Sequence, residues 1–73
     1  MGEFKYSIEK EIGVIAEGSW NKEINFVSFN GAAPKYDIRT WSPDHAKMGK
    51  GITLTLDELK ELKNILDSLE ELA

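Results

Sequence analysis

The chain has 73 residues, with 9 Lys or Arg against 13 Asp or Glu and a net charge of −4. A chain this short forms one domain, 1–73, and buries only about 60% of the surface that its unfolded form exposes, so its core is marginal. The absence of cysteine excludes disulfides and thiolate metal sites, and the lone His45 excludes a local zinc set; the support left for so small a core is a second copy of the chain.

The first segment alternates, with Phe4, Tyr6 and Ile8 on one side and Lys5, Ser7 and Glu9 on the other, which is the period of a half-buried strand. Gly13 interrupts that pattern before Val14, Ile15 and Ala16 and predicts a bulge or bend. After the turn "EGSWNK" a second strand places Ile24, Phe26 and Ser28 on one face and Asn25, Val27 and Phe29 on the other. Asn30-Gly31 and Pro34 predict a connection to a third strand, "KYDIRTW". There Tyr36 and Ile38 take the apolar side, while Lys35, Asp37, Arg39 and Trp41 take the opposite one. "SPDHAKMGKG" reads as a loop and "GITLT" as a short fourth strand, so all strands fall within residues 4–54.

Thr55 and Glu58 form a capping-box pair that opens a helix over about residues 56–71. Leu59, Leu62, Leu66 and Leu69 follow the 3 and 4 spacing of a seam, and Ile65 and Leu72 widen it. One helix covers one face of a four-stranded sheet, and the surplus stripe points to a homodimer formed through Leu59, Leu62, Leu66 and Leu69. The predicted fold is α+β: a four-stranded antiparallel sheet followed by one amphipathic C-terminal helix.

Charge is unevenly spread. Six acids against Lys60 and Lys63 make residues 56–73 acidic, whereas Lys22, Lys35, Arg39, Lys47 and Lys50 face only Glu23, Asp37 and Asp44 in residues 18–55. Local field decides where an anion binds. No apolar run approaches the roughly 18 residues of a membrane span, and the start is charged where a secretory signal is apolar, so no membrane partner and a cytoplasmic location are expected.

Gly49-Lys50 suggests a phosphate loop, but Asp44 stands where its first glycine belongs and Gly51 where its Ser or Thr belongs. Gly49 and Gly51 also begin a dinucleotide fingerprint, which Leu54 breaks at the third glycine. Asp44 and His45 are adjacent, and neighbours rarely face one another as an acid–base pair. No enzyme, cofactor, metal or small-molecule substrate is therefore indicated.

What remains is a face of cations and rings. Single-stranded nucleic acid is held by cations along its phosphates and by aromatic rings on which bases stack, each stack contributing about 1–3 kcal/mol. Lys35, Arg39 and Trp41 offer this combination, with Phe29 across the hairpin, Trp20 and Lys22 at the start of the second strand, and Lys47 and Lys50 in the next loop. The same rings suit a protein-interaction module with no nucleic-acid affinity, and the residues alone leave both readings open.

"YDIRTW", the loop opening "SPD", and "KGITLT" running into a leucine-rich helix resemble the single-stranded DNA-binding domain of the positive cofactor four coactivator family, in its compact bacterial YdbC-type branch. The resemblance extends from about Ile24 through the helix. It implies a homodimer packed through its helices, with curved sheets that bind single-stranded DNA, or RNA as a second possibility, without sequence preference. It further implies a role in transcription or in DNA repair and replication, and a nucleoid-associated location. By position, Phe29 and Trp41 correspond to stacking rings, Arg39 to a channel cation, and Lys47 and Lys50 to phosphate contacts. The chain departs from eukaryotic members in a less basic loop, where Met48 and Gly49 replace further cations.

Overall fold

The computed structural model of the protein describes residues 5–72. Strand β1 (Tyr6–Ala16), β2 (Asn21–Phe29), β3 (Lys35–Trp41) and β4 (Met48–Leu54) form one antiparallel sheet in the order β1-β2-β3-β4. Helix α1 (Leu56–Asp67) and a short 3-10 turn (Glu70–Leu72) follow. The predicted α+β architecture, a four-stranded antiparallel sheet followed by one helix, is present. Phe4, assigned from the alternation to the first strand, lies outside the described residues.

The sheet bends because β1 carries more residues than the strand it pairs with. Its register against β2 shifts three times, between Ile8 and Lys10, Glu11 and Gly13, and Val14 and Ala16. Each extra residue on one strand of a pair adds local twist and bend. The result is measurable. Tyr6 pairs with Phe29 at one end of β2, and Trp41 pairs with Asn21 at the other end, about 26 Å apart in a straight strand. Yet the Tyr6 and Trp41 rings lie 5.2 Å apart, so the two ends of this face curl toward each other.

Turn chemistry holds the β2–β3 connection. Asn30 and Gly31 adopt positive φ of 54° and 77°, which Asn and Gly tolerate with little strain. The Asn30 amide donates to the Lys5 carbonyl at 2.7 Å, and the Lys5 amide donates to Asn30 Oδ1 at 2.9 Å. The β1 end is thereby tied to the turn.

Two boundaries differ from the sequence reading. Strand β4 begins at Met48, inside the segment read as loop. Gly49 and Gly51 lie there because β3 approaches too closely for side chains: a Cβ at Gly49 would collide with Thr40 Oγ1, and one at Gly51 with Arg39 Cβ and the Ile38 carbonyl. Helix α1 ends at Asp67, four residues before the expected end. Ser68 closes it by donating its hydroxyl to the Ile65 carbonyl at 2.9 Å, a local bond that competes with helix continuation. No basic residue occupies the last turn, while Asp67, Glu70 and Glu71 oppose the helix dipole there.

The best-buried residues lie on the sheet face away from the helix. Glu23, Asn25 and Val27 of β2 and Asp37 and Trp41 of β3 are buried there, whereas Ile24, Phe26, Tyr36 and Ile38 on the helix side are only half-buried. Helix α1 has no buried residue.

Candidate nucleic-acid interface

The face predicted to be bare is built around Asp37. Its side chain is fully buried, and Arg39, two residues along the same side of β3, donates from Nε to both carboxylate oxygens at 2.7 and 2.8 Å and approaches Oδ2 with a terminal nitrogen at 2.7 Å. Such a fork engages the planar carboxylate in a fixed geometry. Arg39 also donates to the Gly49 carbonyl at 3.3 Å, and its guanidinium sits 4.9 Å from the centre of the Phe29 ring. The sequence presented Arg39 as a channel cation; the structure commits most of its donors inward.

A second buried acid, Glu23, pairs across the strands with Arg39 in register but bonds elsewhere. Asn25 Nδ2 donates to its Oε1 at 3.0 Å, and His45 Nε2 lies 2.9 and 3.1 Å from its two oxygens. Burial pushes the Glu23 carboxyl up, but the hydrogen bonds from Asn25 and His45, with the charge of His45, outweigh it and hold the group below the usual carboxylate range. Asn25 Oδ1 accepts from the amide of Ile12 at 3.3 Å, so an extra residue of the second bulge keeps its donor satisfied. Sequence reasoning missed this Glu23–Asn25–His45 group; alternation on β2 and the single histidine were its only traces.

Trp41 requires a correction. The expected open stacking ring is 0% exposed, covered by Tyr6 and by His45, whose ring centre is 5.5 Å away. The Tyr6 hydroxyl donates to the His45 carbonyl, and His45 holds a left-handed φ of 58°, which closes the lid over the indole. The curvature of β1 brings Tyr6 there, and strand alternation cannot reveal curvature. Trp41 Nε1 has no partner among the described residues.

Four predicted lysines remain outside. Lys22, Lys35, Lys47 and Lys50 are exposed and make no ion pair among the described residues. They do not share one face. Lys35 borders a groove with Val27, Phe29 and Thr53 on the Asp37 side, whereas Lys22, opposite Thr40, shares the parity of Ile24 and leaves from the helix side. Trp20, 40% exposed, and Lys47 line a groove with Ser42, Pro43, Asp44 and Ala46.

The loop bearing that groove is tightly bonded. Asp44 Oδ1 accepts from the Ser42 hydroxyl at 2.8 Å and the Ala46 amide at 3.0 Å, while Ser42 Oγ accepts from the Lys47 amide at 2.9 Å. The Ala46 amide first, then the Ser42 hydroxyl, holds the Asp44 carboxyl below its usual range. Asp44 and His45 thus serve different partners despite being neighbours.

On the other face, Leu59, Leu62 and Leu66 stand over Ile15, Ile24 and Ile38 with an open apolar groove between them. Leu69 lies beyond α1 and is exposed. Among the described residues no helix is long and apolar enough to cross a membrane.

A curved antiparallel sheet with one trailing helix, with exposed lysines beside internally hydrogen-bonded acids, defines a small α+β domain. The sequence matches the family described as Transcriptional Coactivator p15 (PC4) over residues 16–65. It is also 42% identical over 69 residues to a protein of Treponema pallidum (strain Nichols) described as uncharacterized, an alignment covering 92% of this chain and 81% of that one. The chain belongs to the PC4 family, whose members are non-enzymatic, single-stranded-DNA-binding and coactivator-like.

Proposed function

We propose that the protein binds single-stranded DNA without sequence preference, as a homodimer, and performs no chemistry on it. One observation carries the reading: the acids of residues 18–55 are satisfied internally while the lysines are not. Asp37 is consumed by Arg39, Glu23 by His45 and Asn25, and one oxygen of Asp44 by its own loop, whereas Lys22, Lys35, Lys47 and Lys50 are exposed and make no ion pair among the described residues. A chain of net charge −4 therefore attracts phosphate locally. The split of Asp44 from His45 also removes the acid–base pair that an enzymatic reading needs.

The homodimer is supported by the open side of the fold. The radius of gyration is 13.6 Å, against about 11 Å for a compact chain of this length, and the apolar groove between α1 and the sheet suits a second helix stripe. Two copies hold one strand more tightly than one through effective concentration. Transcription, or repair and replication, on the bacterial nucleoid is the setting in which such a binder acts. The alternative of a peptide-binding module loses one of its two anchors, because Trp41 is sealed, just as the DNA reading loses that ring for stacking.

Anisotropy of a labelled oligo-dT across a salt series tests the reading. With about 0.7 in log–log slope per phosphate neutralised on single strands, four lysines predict a slope of about −3 per chain. No binding at low salt ends the proposal.

A further inference from the structure

We infer that Trp20 and Lys47 form a base-stacking station for an unpaired nucleotide, beside the β1–β2 turn. The inference rests on the single-stranded DNA reading and assigns the ring that replaces Trp41 in it. Trp20 is the one aromatic among the described large apolar side chains that stand exposed. It sits in the β1–β2 turn, where the Gly18 amide donates to Asn21 Oδ1 at 3.2 Å, directly beside the register pair Asn21 and Trp41. The facing wall, Ser42 to Lys47, is cross-bonded at both ends, since the Ser42 amide donates to the Lys47 carbonyl at 2.9 Å. A turn and a wall already fixed lose little freedom when a base enters, which favours binding.

Charge selects the occupant. Lys22 pairs opposite Thr40, Gly49 packs against that same threonine, and Lys50 and Lys47 flank Gly49 in sequence. The backbones of three exposed lysines thus lie toward the Trp20 end of the sheet, with Lys47 on the groove itself and Lys22 leaving from the helix side. The one acid on the groove, Asp44, turns Oδ1 into its loop toward the Ser42 hydroxyl and the Ala46 amide. An exposed aromatic face with the Lys47 cation on the same groove suits a nucleobase whose flanking phosphates are negative.

Because Trp41 is enclosed, tryptophan quenching by oligo-dT reports Trp20. Trp20→Ala should abolish the quench and weaken oligo-dT binding about 5- to 150-fold, and Trp20→Tyr, which keeps a ring, should recover most of the affinity and controls for folding. An abasic oligonucleotide of equal length should bind parent and Trp20→Ala alike. Lys47→Ala should lower the salt slope by about 0.7. Parental affinity for oligo-dT in Trp20→Ala overturns the station while leaving DNA binding intact; failure of the parent to bind oligo-dT removes the function itself, and the station with it.

Discussion

The two faces of the sheet reverse the usual order of burial. The side away from α1 holds two carboxylates, an amide, a guanidinium and an imidazole, and it is closed, with Asp37 at 0% and Asn25 at 1% exposure. The side beneath α1 holds the isoleucines and leucines and stays open, with Ile15 55% and Leu66 39% exposed. Apolar surface normally provides the main drive to burial, so its exposure here means that the single chain completes only its polar half. Curvature explains the difference: the bulges of β1 fold one face onto itself, while the other has only one helix to cover it.

The most severe way to break this contrast is to remove one partner of the closed face. Arg39→Ala leaves the Asp37 carboxylate buried and unpaired, which should cost about 3–5 kcal/mol. Urea melts measure it, and a loss under about 1 kcal/mol would mean that the face opens to water. Leu66→Lys probes the opposite side. In an isolated chain this exposed position should tolerate the change within about 0.5 kcal/mol, whereas in a dimer it should reduce the sedimenting mass to one chain and lower the melting temperature.

Smaller effects sharpen the picture. Thr55 Oγ1 accepts from the Glu58 amide at 3.2 Å, and Glu58 accepts from the Thr55 amide at 2.7 Å. Thr55→Ala should therefore cost about 1 kcal/mol, read as lost helicity by circular dichroism, because α1 gains little from its sheet. Glu23 contributes to the acid limit of stability. Its folded pKa lies below the unfolded value of 4.5, so its contribution is complete above that pH and lost as pH falls through the folded value. Glu23→Gln should flatten that acid limb of stability; an unchanged limb would assign it to other carboxylates.

Alternation and capping were legible because they depend on neighbours in sequence. The opposed faces of β2 and β3, the Asn30-Gly31 turn and the Thr55–Glu58 box all follow from spacing alone. Burial was not legible, because Glu23, Asn25 and Asp37 carry polar side chains that sequence logic sends to solvent, and only curvature brings their partners within reach. Gly13 signalled one bulge, but the shifts beside Glu9 and Ile15 carry no glycine. The enclosed Trp41 follows from the full extent of that bend, which leaves Trp20 as the exposed tryptophan. Glycines at 49 and 51 resembled loop punctuation, when they allow two strands to approach closely.

The interrupted register of β1 has a further consequence. This strand forms one border of the sheet, and an unpaired border invites another molecule's strand to extend the ladder into fibrils. A border offset at three points presents no continuous row of amides and carbonyls for such growth. Endless edge-to-edge stacking along this border is thereby disfavoured.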